Sequence, residues 1–470
     1  MSLGPVSGQI SFQKVVDNAD SLPGTAGEVH GFSQPAISNG TVAFMCYEKK
    51  PVETFARLSI FARKNGVFHR VATTQESQIG GQTLFLSPSA VYSAPMIRDD
   101  GSVAFEGSAG SKSLIAEWKD GTLRKLFDQD DATALVGAGT NWYSDLPMLT
   151  EDGRVVRKVN HPTDRDVLVQ EQGGEFSILQ RVKVPLPPDQ TVGGGLGAWA
   201  AFHGGLVFRE WQATNRVYRK QGEAIGVIGR PWNNGVPGDF PGLGGDVFTI
   251  NGLKATARLT AMLGSRRTAN GANIIYGLYG WAGGSWFKIA EVGMPAPGGG
   301  TYTGVPEHAN TISLDDGALV FHASTTQGQG LFLYHAGTVT PLLMAGQMLD
   351  GRALGGSTSS SQSLGGKKLA IYAYAADGTK QGIYTADLSA LMPGNVGTLP
   401  VTTARWPGNQ VAVTVPGQDG YIYYLHRSTD LGSWTIVDQK MGTAGPVVFT
   451  EDAGAAAEGQ AFFRVEEVKR

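Results

Sequence analysis

The chain has 470 residues, and its 41% hydrophobic content, with 20 Phe, 14 Tyr and 9 Trp, is enough for a sizeable core. This composition excludes a disordered chain, and the formal net charge of −3 provides no basic field for binding nucleic acid or an anionic membrane. The single cysteine, Cys46, excludes an intramolecular disulfide, and no apolar run is long enough for a membrane helix.

The N-terminal residues MSLGPVSG contain neither a charged nor an apolar signal region. They are compatible with a native cytosolic start and equally with an exported protein whose signal peptide is absent from this chain. We favour the exported protein because of the resemblance described below.

A turn followed by a short apolar strand recurs along the chain, for example as SNGTVAF at 38–44, DDGSVAF at 99–105 and DDGALVF at 315–321. Asn-Gly or Asp-Gly between alternating apolar residues is the strongest short-range hairpin signal, because such turns need positive φ at both central residues. The predicted turn glycines are Gly40, Gly101, Gly153, Gly204, Gly252, Gly317 and Gly366.

Each turn and strand is followed by a second hairpin pattern, such as LSIFARKNGVFHRVA at 58–72. No helical period is sustained, and Gly or Pro interrupts the chain every few residues, so the sequence predicts an almost entirely β structure. A repeat of about four short strands has the size of one blade of a β-propeller. The repeats therefore predict seven blades within residues 1–390.

The seventh repeat lacks its last strand, whereas SGQISFQKVVDN at 7–18 matches the missing strand. We predict that this N-terminal strand completes the last blade and closes the ring, because closure leaves no open sheet edge. Residues 391–402 form a Pro- and Gly-containing linker, and the alternating pattern of residues 403–470 predicts a small separate β-sandwich.

The NxxGxVAF-like repeat, clearest in the first, second and sixth units, resembles the bacterial tandem-repeat NxxGxxxF family, whose members often carry alternative C-terminal anchors. The tail, with RSTDLGSW at 427–434 and AFFRVEE at 461–467, resembles a C-terminal module of secreted Verrucomicrobia- or Planctomycetes-like proteins. Both resemblances imply an exported protein of the bacterial envelope, in the extracellular space, the periplasm or at the cell surface. Neither implies a reaction or a set of catalytic residues.

The residue after each repeated apolar triplet varies and is frequently ionisable. If these strand ends surround the central channel, they form a polar rim of the kind at which propellers bind ligands; the alternative is that they are ordinary strand-end residues paired with neighbours. The candidate ligand-binding residues are Glu106, Lys158, Arg209, Arg258, His322 and Tyr372.

Tryptophans in loops are a second candidate binding feature, because exposed indole rings stack on sugar faces. Trp142 in GTNWYSD and Trp232 in RPWNNG are the loop candidates, whereas Trp118 and Trp286 lie in strand patterns that predict core positions.

Other chemistry has little support in the sequence. The eight histidines show no metal-binding spacing, the acidic FDQDDAT at 127–133 indicates a solvated turn, and the serine-rich GGSTSSSQS at 355–363 indicates a surface loop rather than a nucleophile turn. We therefore predict no metal and no cofactor. If the protein were a glycosidase, Glu106 and Glu210 would be its pair of carboxylates.

The sequence thus favours a non-enzymatic, exported β-propeller that acts as a binding or scaffold module for a glycan or protein partner, without nucleic acid binding or membrane insertion. The alternative is a polysaccharide-active hydrolase or lyase that uses carboxylates at the channel rim.

Overall fold

The computed structural model describes residues 10–25, 28–49, 57–86, 94–142, 147–181, 185–186, 190–191, 196–210, 216–221, 224–230, 239–240, 247–267, 274–392, 402–406, 410–418, 421–429, 434–442, 445–452 and 461–469. Almost all of its regular structure is antiparallel β-sheet, which confirms the predicted all-β class.

The first half of the chain forms strand β1 and three sheets of four main strands each, some with the inner strand in two pieces. Strand β1 is Phe12–Asp17. Sheet 1 contains β2 (Glu28–Phe32), β3 (Ala36–Ser38), β4 (Thr41–Lys49), β5 (Arg57–Lys64) and β6 (Val67–Thr73). Sheet 2 contains β7 (Gln78–Ile79), β8 (Gln82–Phe85), β9 (Met96–Ile97), β10 (Val103–Ala109), β11 (Lys112–Lys119) and β12 (Thr122–Asp128), followed by the helix α1 (Gln129–Val136). Sheet 3 contains β13 (Asn141–Trp142), β14 (Met148–Leu149), β15 (Val155–His161), β16 (Arg165–Gln172) and β17 (Glu175–Arg181).

Four further large sheets follow a short hairpin of β18 (Pro185–Leu186) and β19 (Gln190–Thr191). Sheet 4 contains β20 (Leu196–Phe202), β21 (Gly205–Glu210), β22 (Val217–Gln221) and β23 (Ala224–Gly229), and sheet 5 contains β24 (Val247–Ala255), β25 (Thr260–Arg267), β26 (Ile274–Ala282) and β27 (Ser285–Glu291). Sheet 6 contains β28 (Tyr302–Gly304), β29 (Ile312–Asp315), β30 (Ala318–Thr325), β31 (Gly328–His335) and β32 (Thr338–Met344), with a 3-10 turn at Ala309–Thr311. Sheet 7 contains β33 (Met348–Leu349), β34 (Arg352–Thr358), β35 (Leu364–Gly365), β36 (Lys368–Ala375) and β37 (Gln381–Asp387), and its outer edge pairs with β1.

The inner strands of neighbouring sheets contact one another in chain order. Strand β3 contacts β9, β9 contacts β14, β14 contacts β20, β20 contacts β24, β24 contacts β29, and β29 contacts β35. Strand β35 of sheet 7 in turn contacts β3 of sheet 1. Apolar side chains fill the space between sheets: Met45 and Ile60 of sheet 1, for example, share a buried cluster with Val103 and Phe105 of sheet 2.

Strand β1 pairs antiparallel with β37, with Phe12 opposite Ala386 and Asp17 opposite Gly382. Its Val16 is fully buried and packs with Phe44 of sheet 1. The N-terminal strand therefore provides the outermost strand of the last large sheet, as its sequence predicted.

The hairpin turns between inner and second strands follow the predicted turn chemistry at six of the seven glycines. Positive φ occurs at Gly40, Gly101, Gly153, Gly204, Gly317 and Gly366. Gly252 differs, because Asn251-Gly252 lies inside β24 at a register shift next to Ile250. The turn of sheet 5 instead lies at 256–259, where Thr256 N–H donates to Leu259 O at 2.8 Å. An Asn-Gly pair can occupy an irregularity within a strand as well as a turn, and the sequence pattern does not separate the two.

Two further segments differ from their predicted structure. Asp128 of the acidic FDQDDAT segment caps α1, and its carboxylate accepts the backbone N–H groups of Asp130 and Asp131 at 2.9 and 3.0 Å. The serine-rich segment is buried rather than superficial, since Ser360 and Ser363 both donate to Pro35 O, at 2.7 and 3.0 Å. Hydroxyl groups that bond to the backbone of a neighbouring sheet make this segment part of the contact between sheets 7 and 1.

The C-terminal residues form two three-stranded sheets, here called the C-terminal sheet pair. One contains β38 (Thr402–Trp406), β39 (Gln410–Val415) and β42 (Val447–Asp452), and the other contains β40 (Tyr421–Ser428), β41 (Thr435–Met441) and β43 (Phe462–Lys469). Val413 and Phe449 of the first sheet and Leu425 and Val465 of the second share one buried cluster. The predicted linker lies mostly outside the described residues, and the domain boundaries stay predictions.

Buried side chains also match the predictions for individual residues. Trp118 and Trp286 are 7% and 8% exposed and belong to the core, as predicted. Cys46 is buried, and burial raises the pKa of its thiol to about 12, so it is an inert core thiol. The described part of the chain contains no helix with the length and hydropathy of a membrane span.

Candidate functional site

A cavity of about 1070 Å³ lies between the inner strands, and all seven large sheets contribute to its lining. In each sheet the innermost strand and the second strand form cross-strand pairs, and we number these pairs from the turn that joins the two strands. The second pair presents apolar side chains to the cavity from every sheet: Ile37, Ile97, Leu149, Ala201, Ala255, Leu314 and Leu364. We call these residues the apolar layer and the turns beside it the mouth.

The mouth carries charged side chains of both signs, most of them paired. Arg98 reaches Glu171 at 2.8 Å, Lys119 reaches Asp100 at 2.8 Å, and Arg154 reaches Asp152 at 2.7 Å. Arg98 also bonds the buried Glu117 of its own sheet at 2.6 Å, so its guanidinium joins sheet 2 to Glu171 of sheet 3. Carboxylates of the protein neutralise these cations, so the ion pairs stabilise the turns of the mouth and do not provide charges for a ligand.

Two carboxyl groups at the mouth have raised pKa values. Burial, with the nearby charges of Asp316 and Asp315, raises the pKa of Glu151 to about 7, although its carboxylate accepts the Ala257 N–H at 3.1 Å. Burial, with the charges of Asp316 and Asp99, raises the pKa of Asp315 to about 6, although it accepts the Gly366 N–H at 2.9 Å. Both groups therefore change charge close to neutral pH.

A histidine and a carboxylate also pair at the mouth. His203 Nδ1 lies 2.8 Å from Asp152, and this contact raises the pKa of the imidazole. Burial acts to raise the pKa of Asp152, but the contacts with His203, Thr150 and Arg154 hold it below its usual range. The pair is therefore a salt bridge at mildly acidic pH and fixes the orientation of the imidazole.

Lys254 is the lysine of β24 that lines the cavity. Burial lowers the pKa of its amine to about 8, and no charged neighbour in the described part of the chain contributes to the shift. The sequence segment NGLKATA places a lysine between apolar residues, but only the tertiary structure shows that this lysine lines the cavity.

None of the six predicted rim residues is among the described residues that line this cavity. The prediction treated the strand after each turn as the innermost strand, whereas that strand is the second of its sheet. Residues further along the second strand lie between sheets, and the turn residues themselves surround the cavity.

Glu106 and Trp142 contact the same arginine. Arg157 of sheet 3 forms an ion pair with Glu106 of sheet 2, and its guanidinium lies 4.6 Å from the centre of the Trp142 ring. Burial raises the pKa of Glu106, although Arg157 and Trp142 act to lower it. Trp142 also packs on Phe127, so its ring belongs to the contact between sheets 2 and 3.

Two further predicted residues connect neighbouring sheets. Lys158 is 3% exposed, and its Nζ lies 3.5 Å from Leu196 O of sheet 4. Arg209 is 9% exposed and donates to Ile250 O of sheet 5 at 2.6 Å, and burial lowers its pKa. These contacts match the alternative that the residues pair with neighbours.

His322 and Tyr372 lie on the second strands of sheets 6 and 7. Burial lowers the pKa of His322 to about 4, and its Nε2 has no hydrogen-bond partner in the described part of the chain. Tyr372 donates to Gln381 Oε1 at 2.8 Å, and Gln381 donates to His30 O at 2.6 Å. The other loop tryptophan, Trp232, lies outside the described residues. Glu210, the second carboxylate of the glycosidase hypothesis, is 5% exposed on sheet 4, two sheets from Glu106.

Arg258, the last predicted rim residue, joins the turn of sheet 5 to the C-terminal sheet pair. Its guanidinium bonds both oxygens of Glu466, at 3.1 and 2.6 Å, and reaches Asp316 at 2.8 Å. It also lies 5.1 Å from the centre of the Tyr424 ring, and His426 bonds Glu466 at 2.9 Å. Arg258 therefore connects a residue of the mouth to the C-terminal sheets.

We expect Arg258→Met to loosen the C-terminal sheet pair, because Glu466, 17% exposed, would lose its bidentate partner. Removing one member of a buried ion pair typically costs about 3 kcal/mol. The measurement is thermal unfolding with limited proteolysis at the C-terminal sheets. Arg352→Met is the control, because its pair with Asp377 is about half exposed and should contribute less than about 1 kcal/mol. Equal effects of the two variants would contradict the assignment of Arg258 to the interface.

Among the described residues, no group of three or more His, Cys, Asp or Glu side chains is arranged to hold a metal ion.

The comparisons with known proteins concern fold rather than activity. A family model described as a family of unknown function (DUF7453) matches residues 6–163, roughly a third of the chain. No curated protein matches the chain.

Solved structures give only distant similarities. The β-propeller domain of the Trilobed protease from Pyrococcus furiosus has 11% identity and a TM-score of 0.46, over 77% of this chain and 96% of that chain. A Mycobacterium tuberculosis puromycin-hydrolyzing peptidase has 14% identity and a TM-score of 0.42, and an acylaminoacyl peptidase in complex with Z-Gly-Gly-Phe-chloromethyl ketone has 10% and 0.42; each match covers 83% of this chain and 58% of the peptidase. Nothing about the activity of this chain follows from similarities at this level.

Proposed function

We propose that the chain is a non-enzymatic, exported binding module, built as a closed seven-bladed β-propeller followed by a small β-sandwich, whose central cavity takes a polar ligand. The cyclic contacts of the inner strands, from β3 through β35 and back to β3, support seven blades around one axis. The pairing of β1 with β37 supports closure by the N-terminal strand, and the shared cluster of the two C-terminal sheets supports a sandwich. Export to the bacterial envelope is supported by the family resemblance of the repeats and the tail.

The observation that carries the binding role is the cavity itself. Its volume of about 1070 Å³ is at the upper end of the range of small-molecule sites, about 300–1,000 Å³. Glu151 and Asp315 line it, and both have hydrogen-bonding capacity left after accepting backbone N–H groups. A rigid ring with polar groups converging on one cavity is the usual arrangement of a ligand site.

A glycan fits this cavity better than a protein partner. Carboxylates accept hydrogen bonds from sugar hydroxyls, and the mouth offers several carboxylates around a recess rather than a flat apolar face. The exposed large hydrophobic residues of the described part of the chain come from six different strands: Val67, Phe85, Ile274, Met348, Tyr374 and Val448. No Phe, Tyr or Trp is among the described lining residues, so recognition would depend on hydrogen bonds and charge rather than on stacking against these rings.

A polysaccharide hydrolase or lyase is the second candidate, favoured by one observation. Glu151 and Asp315 have pKa values of about 7 and 6, in the range that general acids and bases need. In this hypothesis Glu151 and Asp315, rather than Glu106 and Glu210, are the two carboxylates of the enzyme. New reducing ends released from a bound polysaccharide, and lost in Glu151→Gln, would favour this candidate.

The test of the binding role is a glycan array on the full chain, followed by titration of each bound glycan. The double variant Glu151→Gln, Asp315→Asn should weaken binding at least tenfold at pH 7.5, because ionised acceptors contribute about 1.5–3 kcal/mol each. Binding of neutral glycans should also weaken from pH 8 to pH 5, as these two carboxylates become protonated. Asp377→Asn, at an exposed acid far from the mouth, is the control. A chain that binds no glycan, or a double variant that binds as well as the unmodified chain, would overturn the proposal.

A further inference from the structure

Lys254 differs from the residues at the same position of the other six large sheets. Counted back from the inner turn, it belongs to the third cross-strand pair, opposite Ala261. The equivalent residues of the other sheets are small, apolar or hydroxylic: Ala36, Met96, Met148, Ala200, Ser313 and Ser363. A long cationic side chain therefore occurs at one of these seven positions, and among them Met148, Ala200 and Lys254 line the cavity.

Lys254 has no partner, in contrast to four of the cations at the mouth. Arg98, Lys119, Arg124 and Arg154 each lie within 2.8 Å of a carboxylate oxygen. The Lys254 amine forms no hydrogen bond or ion pair with any residue in the described ranges, and no charge there offsets the effect of its burial on its pKa.

The Lys254 side chain is half-buried in the cavity, and an ammonium that loses part of its hydration is costly when no protein group replaces the lost water. Such a group persists where a partner arrives from outside the chain. The partner that best satisfies a lone ammonium is an anion, which forms a charge-assisted hydrogen bond in a site of low dielectric constant.

We propose that Lys254 pairs with a carboxylate of the ligand, so that the cavity binds a glycan ending in a uronic acid. This inference rests on the proposed binding function and adds the class of ligand. One lysine compensates one negative charge, whereas the carboxylates of Glu151, Asp315 and Asp316 at the mouth oppose further negative charge. A carboxylate monoanion therefore fits better than a phosphate ester, which carries about −1.5 to −2 charges at neutral pH. The sugar hydroxyls would face the carboxylates of the mouth.

The experiment compares two probes that differ only in the charged group, D-glucuronate and D-glucose, as single sugars and as the terminal residues of matched oligosaccharides. Isothermal titration at pH 7 uses the unmodified full chain, Lys254→Met and Lys368→Met. Lys368 is an exposed lysine on β36 that does not line the cavity, and it is the control. A phosphorylated sugar, glucose 6-phosphate, serves as the third probe.

We expect the glucuronate-terminated probe to bind at least tenfold more tightly than its glucose counterpart. Lys254→Met should abolish this preference, and Lys368→Met should retain it. Binding of the acidic probe should also weaken above pH 8 as the amine loses its proton, which a purely structural lysine would not cause.

The outcomes separate this inference from the proposed function. Equal binding of both sugars, or a preference that survives in Lys254→Met, would overturn the pairing while leaving the cavity as a glycan site. Tighter binding of glucose 6-phosphate than of glucuronate would overturn the carboxylate in favour of a phosphate. Absence of binding by all three probes, together with a blank glycan array, would overturn both.

Discussion

Deleting residues 1–18 is expected to lower the thermal unfolding midpoint by about 10 °C or to abolish cooperative unfolding. The deletion removes β1, whose Val16 is fully buried and whose Asp17 is 1% exposed between Lys14 and Lys380, each 3.1 Å away. Burial of each valine contributes about 1.5–3 kcal/mol, and the unpaired edge of β37 would add unsatisfied backbone groups. A loss of about 5 kcal/mol corresponds to roughly 10 °C in a domain of this kind.

A deletion of residues 1–9 is the matched control, because it leaves β1 whole. We expect it to unfold within about 2 °C of the full chain, and a synthetic peptide of residues 10–20 to restore part of the stability of the longer deletion. An unfolding curve of the 1–18 deletion that superimposes on that of the control would show that the N-terminal strand does not hold the last sheet together.

Replacing Lys254 by methionine is expected to stabilise the ligand-free chain by about 1–3 kcal/mol at pH 7. The pKa of the amine falls from 10.5 to about 8 on folding, so the folded chain must hold an ammonium that the unfolded chain keeps in water. Each pKa unit corresponds to about 1.4 kcal/mol, and the partial exposure of the side chain reduces the sum. Methionine has a similar volume and requires no hydration. Chemical denaturation of both chains measures the difference.

The stabilisation should depend on pH in a defined direction. Between pH 8 and 10.5 the unfolded chain binds more protons at this lysine than the folded chain, so the stability of the unmodified chain rises with pH over that interval. The difference from Lys254→Met is therefore full below pH 8 and absent above pH 10.5. Lys368→Met should show neither effect. A Lys254→Met chain less stable than the unmodified one at pH 7 would mean that the amine has a compensating partner.

A side chain that is expected to lower the stability of the fold and that lines the cavity between the inner strands is typical of a functional site, where binding requirements oppose stability. In that respect Lys254 contrasts with Arg258, whose contacts with Asp316 and Glu466 stabilise the docking of the C-terminal sheet pair. Both residues belong to the hairpin of β24 and β25, Lys254 on the strand that lines the cavity and Arg258 in the turn.

The sequence by itself determined the features that depend on neighbouring residues. Six turn glycines with positive φ, at Gly40 and its counterparts, were readable because few other residues adopt that conformation. The all-β class was readable from alternation, and the buried Trp118 and Trp286 from their strand patterns. The pairing of the N-terminal strand with β37 was also deduced, because an incomplete last repeat needs a strand from elsewhere in the chain.

Only the tertiary structure decided which of these residues face one another. The sequence predicted the turn of sheet 5 at Gly252, but the turn lies at 256–259. Arg258 therefore belongs to this turn rather than to a strand, and Lys254 lies on the strand that lines the cavity. The cavity collects side chains from seven sheets spread over more than 300 residues, and each sheet contributes through its register. Because side chains alternate in direction along a strand, an error of one residue in register changes which neighbours each side chain meets. Local patterns therefore specify strands and turns, whereas the charges that meet at the mouth depend on long-range pairing.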